Sequence, residues 1–230
     1  MICLSKVARI ADRPEPPSQD FVFINTLSWF PNNVQRVNNT MINSYEVTPY
    51  YLKDDEGHIF ENVYQYAKCY KKIYAQDQSY GNKVIWSHPE EVHMDANNNV
   101  LPAYWYWRHK GINNPYAVRY PNGFHGRREC LCAFWQNPAG EWEQLDYLQG
   151  RKKIYCSLYR QQVVKTSAYQ ELKRLHDADV NLQLIDVDVP SGNTIVTQAT
   201  YDKYLNDTSQ AFGHSFVLSA LLLGLDLHLD

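Results

Sequence analysis

The longest apolar run in the chain is FVLSALLLGL, residues 216–225. A helix needs about 20 apolar residues to cross a bilayer, so this run is too short to span one. It is expected as a buried terminal helix, and the chain must build a core around it. The material is there, since 44% of the 230 residues are hydrophobic. The clearest strand, NLQLIDVDVP at 181–190, precedes it. Alternation puts Leu182, Leu184, Asp186 and Asp188 on one face, and Ile185, Val187 and Val189 on the other.

The remaining elements follow from period and punctuation. Phe60, Val63, Tyr64, Ala67 and Tyr70 keep the helical period and predict a helix over about 59–74. PAYWYWRHKG (102–111) opens on Pro and ends on Gly, which predicts another. EQLDYLQGRKKIYCSLYRQQVV reads as one long helix that Gly150 weakens, and SAYQELKRLHD as the next, with Ser167 as N-cap. TQATYDKYLND is expected as a short helix. DFVFIN and ECLCAFW are strand-like, NNVQRVNNTMINS reads as loop, and YEVTPYYLKDDEG as extended with a turn at Asp54–Gly57. The expected class is α+β: a predominantly helical single domain over 21–230 with a few short strands, behind an extended arm at 1–20.

Charge and cysteine usage narrow the function. A net charge of −3 argues against a generic nucleic-acid binder, although GRR (126–128) and GRKK (150–153) are small basic clusters. The five Cys are odd in number, and MICLSKVARIADRPEPP holds no secretory apolar stretch. The reading is reduced thiols in the cytoplasm with no membrane anchor. A single C-x-C, Cys130-Leu131-Cys132, lacks the second half of a zinc site, and His93-Met94-Asp95 lacks the third ligand of an iron triad. No metal is expected.

The candidate chemistry centres on HIFENVYQYAKCYKKIY, residues 58–74. On a helix, Glu61, Gln65, Lys68 and Lys72 form a polar row beside the apolar face. The row is either a solvated flank or one wall of an active site. Asp186 and Asp188 at a strand end form either a general acid–base pair or two wetted carboxylates. His214 after Gly213 either contacts a phosphate at a helix start or caps the helix. Arg119 is a phosphate clamp or a structural ion pair. Trp105 and Trp107 face different ways on their helix, one into the core and one toward a groove.

Glu61-x-x-Tyr64-Gln65-x-x-Lys68 resembles the E-x-x-[FY]-Q-x-x-K helix of the NADAR family. That family includes N-glycosidases of riboflavin-pathway intermediates and enzymes that remove ADP-ribose from guanine bases. SYEVTPYYLKDDEGHIF is similar to its entry segment, and FGHSFVLSALL (212–222) to its closing G-x-N-x-L-G-x-x-L-M helix. Ser215 stands where the family has Asn, and no W-G-x-G element precedes the last helix. The resemblance covers residues 44–75 and 144–222, which leaves about 76–143 as an elaboration without a counterpart.

The resemblance implies hydrolysis of an N-glycosidic bond between a base and ribose, in a ribosylated or ADP-ribosylated nucleotide. Glu61 would be the carboxylate that stabilises the oxocarbenium centre and activates water. Gln65 would position the ribose or the water, and Lys68 would hold a phosphate or protonate the base. Asp186 or Asp188 would supply a second carboxylate. Tyr64, Arg119, Trp105, Gly213 and His214 would bind substrate, with phosphates near His214. The reaction calls for no cofactor. Two alternatives stay open: a non-catalytic ADP-ribose or nucleotide sensor on the same fold, and an ADP-ribosyltransferase. The expected partner is a small nucleotide or an ADP-ribosylated substrate. Net charge does not favour nucleic acid.

Overall fold

The computed structural model describes residues 1–7, 13–29, 33–37, 39–75 and 88–229. In chain order it runs through β1 (Ile2–Lys6), β2 (Phe21–Asn25), β3 (Val34–Val37), β4 (Thr40–Asn43) and a 3-10 turn (Ser44–Glu46). Then come α1 (Phe60–Ala67), β5 (Lys68–Tyr70), β6 (Lys72–Ile73), β7 (Glu91–Val92), α2 (Pro102–Ile112) and α3 (Gly123–Gly126). β8 (Cys130–Gln136) and β9 (Trp142–Leu145) lead into α4 (Tyr147–Gln149), a π-helical stretch (Gly150–Cys156) and α5 (Ser157–Val163). α6 (Ser167–Asp177), β10 (Asn181–Asp186), β11 (Asn193–Ile195), α7 (Gln198–Asn206) and α8 (His214–Leu223) complete the chain. The class is α+β. No described helix is long and apolar enough to cross a membrane.

Where one domain is expected, the chain divides into two compact units. One comprises Met1–Leu52 and Cys156–Asp230, and the other is Lys53–Tyr155, placed between its halves in sequence.

The discontinuous unit is built on a four-stranded sheet in the order β11-β1-β10-β2. β10 runs parallel to both β1 and β2, and β11 closes one edge antiparallel. Strands enclosed on both sides read as continuous apolar runs, and Ile2, Cys3, Leu4, Leu182, Leu184 and Ile185 are all buried. Residues 2–6, expected as part of an arm, therefore form an interior strand. α8 packs on β1 and β10 and buries Phe216, Val217, Leu218, Ala220 and Leu222. It stops at Gly224, whose φ of +68° is the left-handed conformation of a helix C-terminus. The Asn-rich segment expected as loop is the hairpin β3–β4, with Asn39 at φ +65° in its turn. The N-cap of α6 is Thr166, one residue before the expected Ser167, whose hydroxyl instead donates to Glu46 at 2.6 Å.

The continuous unit carries the antiparallel sheet β5-β8-β9, the ladder β6-β7 and helices α1 to α4. α1 is half the expected length. It ends at Ala67, and Lys68 is already extended (φ −70°, ψ 139°), so the chain passes from helix to strand without a loop. Two long-range ties hold α1 in place. Buried Asn62 donates to the carbonyls of Asn114 and Tyr116 at 2.9 Å and accepts from the Val118 N–H at 2.8 Å. The Tyr104 hydroxyl donates to the Ala67 carbonyl at 2.9 Å. α2 crosses so closely that a β-carbon on Gly111 would run into the Tyr66 ring. Residues 143–145, expected as the start of a helix, belong to β9; the helix begins after Asp146, whose side chain closes a capping box with Gln149.

Candidate functional site

Each unit holds one group of polar side chains that the sequence singled out. In the continuous unit the Glu61 row forms a chain of hydrogen bonds. Gln65 Nε2 donates to Glu61 Oε1 at 3.0 Å, and Lys68 Nζ donates to Gln65 Oε1 at 2.7 Å. This fixes the Gln65 amide, with its nitrogen toward the carboxylate and its oxygen toward the ammonium. Glu61 is only 6% exposed, so it does not lie on a solvated flank. Lys68 joins the row although it is not helical, because the bend into β5 returns its side chain toward Gln65. Its ammonium also lies 4.4 Å from the centre of the Tyr64 ring. Lys72 leaves the row for β6 and pairs with Glu90 at 2.7 Å.

Tyr64 is the hub of this group. Its ring meets Tyr155 edge-on at 4.9 Å. Burial pushes its phenol well above the usual range, Tyr147, Cys130 and Glu61 add to the rise, and the Arg151 charge opposes it. Arg151 is 2% exposed, and its Nη2 lies 3.4 Å from the Tyr147 hydroxyl. A buried guanidinium and a buried carboxylate thus act on the same tyrosine. The sequence showed Arg151 only as one residue of a basic cluster; a basic residue at a helix start next to a glycine gives no signal of burial. Asn62 was missed for the same reason, because its partners are more than 50 residues away in sequence.

Trp105, Trp107 and Arg119 each lie beside aromatic rings. Trp105 meets Phe134 at 5.4 Å and Trp142 at 4.7 Å, while Trp107 is buried against Tyr66 and His93. Arg119 places its guanidinium 5.4 Å from the Tyr120 ring. Asp95 of the H-x-D spacing organises its own turn, its Oδ1 accepting the N–H of Asn97 and Asn99 at 2.8 Å.

Asp186, Asp188, Gly213 and His214 belong to the discontinuous unit, not to the unit of Glu61. β10 ends at Asp186, so Asp188 lies beyond the strand and the two carboxylates do not share a strand face. Asp186 is 1% exposed and fully engaged. Oδ1 accepts from the Val187 N–H at 2.6 Å and the Asp188 N–H at 3.1 Å. Oδ2 accepts from the Ser215 N–H at 3.1 Å and stands 3.1 Å from His214 Nδ1. His214 Nε2 donates to the Thr26 carbonyl at 3.0 Å. A β-carbon on Gly213 would collide with the Asp186 carboxylate. This knot joins the ends of β10 and β2 to the first turn of α8, with Thr26 and Ser215 sharing a hydroxyl contact at 3.0 Å. Its geometry is that of a helix cap.

Among the described residues, no group of three or more His, Cys, Asp and Glu could hold a metal ion. Compared with known proteins, the chain matches no family model, no curated protein and no solved structure.

Proposed function

We propose that the chain is a NADAR-like hydrolase of the N-glycosidic bond between a base and ribose, with Glu61 as its carboxylate. The observation that carries this reading is the hydrogen-bonded chain Glu61–Gln65–Lys68 around a buried carboxylate. As the bond from ribose C1′ to nitrogen breaks, positive charge develops at C1′. An oriented carboxylate in a poorly hydrated setting stabilises that charge more than water does. Glu61 accepts a proton from the water that adds to C1′, and Lys68 supplies one to the departing base. Gln65 holds the two groups apart and in register. Arg151 contributes a compensating buried positive charge beside Tyr64. Asp186 and His214 take no part, being engaged in their helix cap.

Incubation with ADP-ribosylated guanine nucleotide, NAD and a 5-amino-6-ribosylamino-pyrimidine phosphate, followed by chromatography for free base, tests the proposal. Release of base from a ribosylated substrate is expected. Tight binding of ADP-ribose without turnover of any of the three would favour the sensor reading, which the absent W-G-x-G element motivates. Transfer of ADP-ribose from NAD to an acceptor would favour the transferase.

A further inference from the structure

β5 and β8 bring three of the five thiols together. Cys69 and Cys132 are direct register partners in the antiparallel pair, and both are buried. The Cys69 Sγ donates to the Tyr70 carbonyl at 3.7 Å. Cys130 lies two residues before Cys132, across a register shift that pairs it with Tyr70, and its Sγ donates to the Cys132 carbonyl at 3.3 Å. Among the described residues the three thiols do not form a metal site.

The spacing suits a covalent bond. Directly opposed residues of an antiparallel pair have Cα atoms about 4.5–5.5 Å apart, inside the range of about 4.4–6.8 Å that a disulfide accepts. The two sulfurs are also unequal. The neighbouring Cys132 and burial raise the Cys69 thiol, whereas the neighbouring Cys69 and Gln144 side chains hold Cys132 below the ordinary thiol value. Cys132 also keeps 4% exposure where Cys69 has none, so Cys132 is the thiol that meets an oxidant first and Cys69 the resolving one.

We propose that Cys69 and Cys132 form an oxidation site that a peroxide converts into a cross-strand disulfide. The Cys132 sulfur attacks one peroxide oxygen, the O–O bond breaks, and sulfenic acid and water form when the peroxide is hydrogen peroxide. The Cys69 sulfur then attacks the sulfenic sulfur, the S–O bond breaks, and a second water leaves with the Cys69 proton. Two thiols are oxidised and one peroxide is reduced. The bridge would pin β5 one residue after Lys68. The inference does not depend on the proposed glycosidase activity.

The whole protein is treated with hydrogen peroxide, remaining thiols are blocked under denaturing conditions, and non-reduced peptides are sequenced by tandem mass spectrometry. A peptide joining Cys69 to Cys132, lighter by two hydrogens and cleaved by reductant, is expected, with Cys3 and Cys156 still reduced. The bridge should persist in Cys130→Ser and vanish in Cys69→Ser and Cys132→Ser. A bond to Cys130 instead, arrest at sulfinic acid, or unchanged thiols would overturn the proposal. The wild-type peptide map decides the matter even where a variant fails to fold.

Discussion

His93 shows at the residue scale how burial outweighs a nearby charge. It is fully buried, its ring packs against Tyr104 and Trp107, and among the described residues neither ring nitrogen has a hydrogen-bond partner. Burial, with a smaller push from His88, lowers its pKa from 6.5 to about 4. Glu91 Oε2 stands 3.6 Å from Nε2, too far for a hydrogen bond, and would pull the other way. The folded value lies below the unfolded one, so the unfolded state binds the extra proton between them. The contribution is whole above about pH 6.5, declines as pH falls, and is gone below about 4. The loss is on the order of 3 kcal/mol. Unfolding free energies from pH 4 to 7 should show this decline in the wild type and a flatter profile in His93→Phe. A His93-dependent stability that increases toward acid would mean that the Glu91 charge dominates.

At the scale of elements, close approach decides as much as periodicity. Gly111 has no unusual backbone angle; it is needed because the Tyr66 ring of α1 lies where its β-carbon would be. Gly111→Ala should destabilise the protein by about 1–3 kcal/mol in a urea titration, despite the better helix propensity of Ala. An unchanged or higher midpoint would refute that packing. The same contrast explains what the sequence made legible. β2, β8, α2, α6, α7 and α8 follow from alternation, caps and Gly or Pro signals, all of them local. Tyr70 and Lys72 continue the helical spacing and so extend the expected α1, although pairing of β5 with β8 claims Lys68 onward. The polar composition of the hairpin β3–β4 hides its pairing behind the signature of a loop. Spacing puts Glu61, Gln65 and Lys68 in one row, but it does not separate a solvated flank from a hydrogen-bonded chain around a buried carboxylate. Arg151, Asn62 and the Cys69–Cys132 pairing were not legible, since each depends on partners distant in sequence.

At the scale of the whole molecule, the discontinuous unit draws strands from both ends of the chain: β1 and β2 from the first segment, and β10 and β11 from the last. β1 lies between β10 and β11, so an N-terminal stretch that reads as an arm is a structural strand. Deleting residues 1–6 should abolish cooperative thermal unfolding of this unit, monitored by circular dichroism. An unchanged transition would mean that the segment is a dispensable arm. The functional proposal rests on the continuous unit, where the Glu61 carboxylate is buried and tied through Gln65 to Lys68. Its most direct test is single-turnover release of free base from a ribosylated nucleotide by the wild type and by Glu61→Gln, at substrate concentrations that saturate both. The proposed mechanism predicts a rate about 100- to 10,000-fold lower in the variant, with ADP-ribose binding retained. Equal rates of base release would contradict it.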